Sequence, residues 1–201
     1  MRCEALDKHF FTEVRDLNVA FLRLLADPRA GEVGLEMLDL DPQSAQALAA
    51  LDTAERRRLA TVPVPLAGLR TLPLPAAVAD QAPLPGTLEP GWWLAASSFA
   101  AGLLTYLWQL ARHQPVAAAL CVGPGQGRVQ RLAALSFDTI QHCAPLAAAQ
   151  LRARRIFSPE LLSPLLQDVC TRADGWRPVG LDLIPLGLAG LRPPRHHRQR
   201  P

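Results

Sequence analysis

The side chains with the greatest chemical reach lie in the second half of the chain. In "QGRVQRLAAL" (126–135), Gln126, Arg128, Gln130 and Arg131 fall on the outer side or edge of a short helical stretch. Arg and Gln can make paired hydrogen bonds to guanine and adenine edges in the major groove. Downstream, Arg152, Arg154 and Arg155, with Arg112 before them, supply forked donors that suit phosphate oxygens. The tail "LRPPRHHRQRP" adds Arg192, Arg195, Arg198 and Arg200, whose contribution to binding a polyanion would be sequence-independent and salt-sensitive. The chemistry that this set predicts is recognition of a nucleic acid.

Other constellations offer less. "GPGQG" (Gly123–Gly127) precedes a helix as a phosphate loop would, but it lacks the Lys-Ser/Thr ending and a preceding apolar strand. A turn between two helices explains it better. His142 and Cys143 are adjacent, so on a helix their side chains diverge by about 100° and do not form a nucleophile–base pair. The cysteines Cys3, Cys121, Cys143 and Cys170 form no CxxC pair, and His196–His197 has no further ligands at metal-binding spacing. No pair of carboxylates stands out. The expectation is a protein that is not an enzyme, with no cofactor, no metal and no small-molecule substrate.

Those arginines must be positioned by helices. The 201 residues are 49% hydrophobic and 5% aromatic, which predicts a core of Leu, Ala and Val; 19 prolines predict short elements with hard stops. "LAALSFDTIQHCA" (132–144) echoes "LAALDTAERRRLA" (48–60), at an offset of 84 positions. The echo extends backward, with "FLRLLA" (21–26) facing "YLWQLA" (106–111) after a one-residue gap, and forward, with Arg70 meeting Arg154 and Pro75 meeting Pro159. The reading is therefore mainly α, with two tandem helical units. Each has a long apolar-faced helix (about Thr12–Ala26; about Trp92–Arg112), a short helix, a turn ("DLDP"; "GPGQG"), and a third helix with Ala45/Leu48/Ala49 or Val129/Leu132/Ala133 inward. A fourth helix follows, starting at Asp52 with Glu55 at capping-box spacing or at Ser136, and then a short extended segment. Ser158, Pro159 and Glu160 announce a further helix. The predicted boundaries are 1–72 for the first unit, 73–90 for a Pro-rich linker, 91–170 for the second unit and 171–201 for an irregular basic tail.

A short helix, a tight turn and a second helix with an apolar inner face follow helix-turn-helix arithmetic. The run from Asp16 to Arg70 resembles FlhD, the small helical subunit of the flagellar master transcription activator. It is similar also to related activators of conjugative-element transfer. The positions that carry the resemblance are Leu17–Asn18, the Leu38 turn, Ala45/Leu48/Leu51, Leu59–Ala60 and Leu69–Arg70. Tyr106 to Arg154 is similar without the Leu-Asn pair. The family subunit carries one such unit where this chain has two. The zinc-binding four-cysteine spacing of its partner, FlhC, has no counterpart here.

Charge divides the chain: residues 1–90 hold 9 Arg/Lys against 13 Asp/Glu, and residues 91–201 hold 12 against 5. In the first unit Gln43, Ser44 and Gln46 sit beside acidic Asp39 and Asp41, which would repel phosphate. This marks the first unit as an assembly module and the second as the one nearer DNA. Arg56–Arg57–Arg58 reads as a solvated helix face. The expectation is a cytoplasmic DNA-binding transcriptional regulator that binds double-stranded DNA and assembles with itself or an FlhC-like partner subunit. Two alternatives stand beside it: a protein–protein adaptor or secretion accessory, and an accessory protein anchored through the uncharged stretch Trp92–Ala111. That stretch aligns with the charged amphipathic first helix, so a buried central helix is the consistent reading and a membrane partner is not expected.

Overall fold

The computed structural model describes residues 8–72, 88–123 and 127–171. They are mainly α-helical, with one two-stranded sheet among them.

The first helix, α1 (Lys8–Leu25), sends Phe10, Val14, Phe21 and Leu22 into the core at helical spacing. A 3-10 turn at Pro28–Ala30 leads to α2 (Gly31–Met37). Helix α3 (Pro42–Ala49) starts on Asp41, whose Oδ1 accepts from Ser44 N at 2.9 Å. Its inner face is Ser44 and Leu48, while Ala49 turns to solvent rather than inward. Helix α4 (Thr53–Leu59) has the capping box written in its sequence: Glu55 N donates to Asp52 and Asp52 N donates to Glu55, both at 2.7 Å. Strand β1 (Ala67–Leu69) follows.

The same order recurs. Helix α5 (Pro90–His113) is capped by Glu89, and α6 (Pro115–Val122) and α7 (Arg128–Ala133) follow it. Helix α8 (Phe137–Ala147) is capped by Ser136, a 3-10 turn covers Ala148–Gln150, and β2 is Leu151–Ala153. A last 3-10 turn (Arg155–Phe157) leads into α9 (Pro159–Thr171). Residues 73–87 of the predicted linker and 172–201 of the predicted tail, with Arg192, Arg195, Arg198 and Arg200, lie outside the described residues.

The strands pair antiparallel, Gly68 opposite Arg152, with Ala67 opposite Ala153 and Leu69 opposite Leu151. The central partners lie 84 positions apart, the offset of the sequence echo. Beyond the ladder, Arg70 N donates to Gln150 O at 2.7 Å and Arg154 N to Leu66 O at 2.9 Å. Donors and acceptors are again 84 apart, so exchanging the two strands maps this bonding pattern onto itself. The exits of the second helices correspond too: Asp39 and Gly123, 84 apart, both have positive φ, 55° and 82°.

The predicted units share one core. Helix α5 runs through its centre, against α1, α6, α7 and α8. Trp92 is fully buried against Gly34 of α2 and donates through Nε1 to Leu24 O at 3.2 Å. Phe21 stacks on Phe99 and meets Phe157 at 6.2 Å. By length and composition α5 could cross a membrane, yet here Ala96, Ala100, Leu103, Leu104 and Leu107 are buried by the chain's own helices.

The units differ where the extended segments begin. In the first, residues 60–66 are irregular and Asn18, fully buried, satisfies them. Its Nδ2 donates to Ala60 O, Val62 O and Val64 O at 3.0–3.2 Å, and its Oδ1 accepts from Leu66 N at 2.7 Å. In the second unit the corresponding stretch, 144–150, stays helical or 3-10 and satisfies its own backbone. The position aligned with Asn18 is there Leu103, fully buried and apolar.

Candidate nucleic-acid interface

The predicted DNA-facing residues sit on α7 and around β2. Gly127, left-handed at φ 75°, turns the chain into α7. Leu132 anchors the helix in the core with Val129 and Ala133 half-buried, which leaves Gln130 and Arg131 exposed. Arg131 Nε reaches Gly127 O at 3.4 Å, along its own helix. Gln126 lies outside the described residues.

Arg128 is half-buried at the start of α7, and its Nη2 donates to Arg70 O at 3.3 Å. Arg70 follows β1, and its own guanidinium pairs with Asp39 Oδ1 at 2.7 Å. Burial first, then the positive charges of Arg152 and Arg131, hold the Arg128 pKa below its ordinary value. Arg131 lies one helical turn further along α7 and Arg152 on β2, and both add positive charge to the surroundings of Arg128. Arg152 is half-buried at the middle of β2, opposite Gly68.

Arg154 has a different role from the one its type suggested. Its guanidinium donates to Leu120 O at 3.3 Å and Cys121 O at 2.7 Å, carbonyls in the last turn of α6. Its aliphatic part lies 3.7 Å from where a Cβ on Gly68 would stand. Burial lowers its pKa, and the group serves as a helix cap rather than an exposed phosphate ligand. Arg155, exposed on the 3-10 turn after β2, acts on Glu160, whose carboxyl is held low first by its bond with Ser158. Arg112 is exposed and stands over the Trp108 ring at 5.0 Å.

No family model, curated protein or solved structure matches this chain.

The first unit's third helix is arranged otherwise. Ser44, 1% exposed, donates through Oγ to Phe157 O at 2.8 Å, so the second unit's chain covers it. Helix α9 also packs on α3 and α4, where Arg58 Nε donates to Val169 O at 2.9 Å. Arg56 Nη2 donates to Ala49 O at 3.0 Å. Two members of the Arg56–Arg58 run are therefore tied to backbone carbonyls.

His142 is exposed, with Nδ1 2.8 Å from Asp138 O, and Cys143 is buried, its thiol pKa raised by that burial. Among the described residues no cluster of three His, Cys, Asp or Glu could hold a metal. Arg70, which aligns with Arg154 and is among the positions that carry the FlhD resemblance, contributes here through its backbone carbonyl to Arg128 and its guanidinium to Asp39.

Proposed function

We propose that the chain is a subunit of a DNA-binding transcriptional regulator, acting in the cytoplasm as a homo- or hetero-oligomer in the manner of FlhD-type activators. The observation that carries the reading is the outer face of α7, where Gln130 and Arg131 are exposed, with Arg128 at the start of the helix and Arg152 half-buried on β2. Positive charges so placed are stabilised by an anion that neutralises several at once. In this mechanism α7 approaches the major groove, Gln130 and Arg131 meet base edges, and Arg128, Arg152 and Arg155 meet phosphates. Arg154 is left out of the contact set because its donors already serve α6. The first unit supports assembly, with itself or an FlhC-like subunit.

The test is duplex binding by fluorescence anisotropy across a salt series. Binding should weaken steeply with salt, and Arg128→Ala/Arg152→Ala, which removes two phosphate contacts, should lower the slope of log K on log salt by about two. Arg154→Ala should lower thermal stability and leave that slope unchanged. Absence of binding at about 50 mM salt refutes the reading.

One observation favours an adaptor as the second reading. Phe137 is 56% exposed and lies 5.9 Å from the Trp108 ring that carries Arg112, while Val116 is 76% exposed at the start of α6. Aromatic rings and arginine are the residues that dominate protein–protein contacts. Phe137→Ser that abolishes oligomers while duplex binding is absent would favour it.

A further inference from the structure

We infer that the groove between α1, α2 and α3 is a binding site for a small carboxylate with an apolar body, of the medium-chain fatty-acid kind. The groove encloses about 280 Å³. Leu22, Leu25, Leu35 and Leu48 line it, with the polar side chains of Gln46 and Arg56 among the lining. An apolar cavity of about 150 Å³ holds one benzene, so this one takes about ten non-hydrogen atoms.

The chain leaves this groove open for an identifiable reason. The position 84 residues beyond Arg56 is Ile140, fully buried on α8, which packs along α5. In the first unit a guanidinium stands there instead, and it cannot be buried without partners. Helix α4 is drawn toward α9, by Arg58 on Val169 O and by Cys170 Sγ on Glu55 Oε1 at 3.1 Å.

The charge at the groove selects the ligand. Arg56 is half-buried and gives Nη2 to Ala49 O, and a guanidinium has five N–H donors, so four remain for a ligand. The neighbouring Glu55 directs its oxygens elsewhere, Oε2 to Asp52 N and Oε1 to Cys170 Sγ. An anionic head on a tail of the groove's length satisfies both the guanidinium and the leucines.

The experiment is calorimetric titration of the full chain with sodium octanoate, using 1-octanol and octylamine as controls of equal length. Octanoate should bind saturably at one site and more tightly than either control. Arg56→Gln should weaken octanoate about tenfold and leave octanol unchanged. Ala45→Leu, which fills the groove, should remove binding while the chain keeps its thermal transition. Non-saturable uptake, equal octanoate binding by wild type and Arg56→Gln, or undiminished binding by Ala45→Leu would each overturn the assignment.

Discussion

Asn18→Leu removes a buried amide that holds four backbone groups between Ala60 and Leu66. Leucine is apolar and of similar size, so the change is chiefly loss of hydrogen bonds rather than of volume. Two amide protons serve three carbonyls, so one proton is shared, and the carboxamide oxygen holds Leu66 N. In the unfolded chain all of these groups bond to water, so each bond contributes about 1 kcal/mol net, but each group stranded in the core costs about 1–3 kcal/mol. Water reaching part of the loop offsets some of this, and the expected loss is about 4 kcal/mol. That is a large part of the roughly 5–15 kcal/mol that holds a native domain. Urea denaturation followed by tryptophan fluorescence should show the midpoint fall by about 2 M, for a slope near 2 kcal/mol per molar. Asn18→Asp should be worse at pH 7: it can still accept from Leu66 N but turns a carboxylate on three carbonyls. A midpoint for Asn18→Leu within about 0.25 M of wild type, or about 0.5 kcal/mol, would show that residues 60–66 do not depend on this side chain.

Two further outcomes follow from the core. Gly34→Ala gains about 0.5–1 kcal/mol of helix preference, but its Cβ would stand 3.1 Å from the Trp92 ring, which is fully buried and tethered to Leu24 O. Overpacking of about 1–3 kcal/mol wins, so the variant should melt lower with altered near-ultraviolet dichroism, and a higher melting temperature would contradict the packing. Burial pushes the Cys121 thiol from its ordinary 9.0 up to about 12, with Arg154 opposing the shift. Its neutral form is favoured in the folded state, so this contribution is intact below about pH 9. It is lost at about 1.4 kcal/mol per pH unit between about 9 and 12, as the unfolded thiol ionises first. Cys121→Ala should flatten the alkaline fall of melting temperature relative to wild type, and parallel curves would remove the assignment.

Much of the fold was legible because its signals are local. Asp41 before Pro42, the Asp52/Glu55 box and Ser136 act within one helical turn, so residue types at fixed spacing were enough to start α3, α4 and α8. The 84-residue echo also anticipated which short segments are equivalent, and these are the segments that pair as β1 and β2. Periodicity places Ala49 on the inward face of α3, yet it is exposed, because periodicity alone does not show which neighbour covers a face.

The candidate site was less legible. Arg152, Arg154 and Arg155 are near neighbours of one type, yet one joins Arg128, one caps α6 and one stands on an outer turn. Their fates depend on acceptors and charges brought close by long-range packing, such as the carbonyls of Leu120 and Cys121. By itself the sequence determined helix starts, turns, the repeat and the identity of the charged groups, since these follow from covalent spacing and local hydrogen bonding. Only the tertiary structure decided that both units share one core through α5. It alone set Asn18 to hold the approach to β1, and it buried Ser44 against Phe157 while α7 stayed open. Those outcomes are set by which surfaces exclude water together, and that is a property of the packed chain.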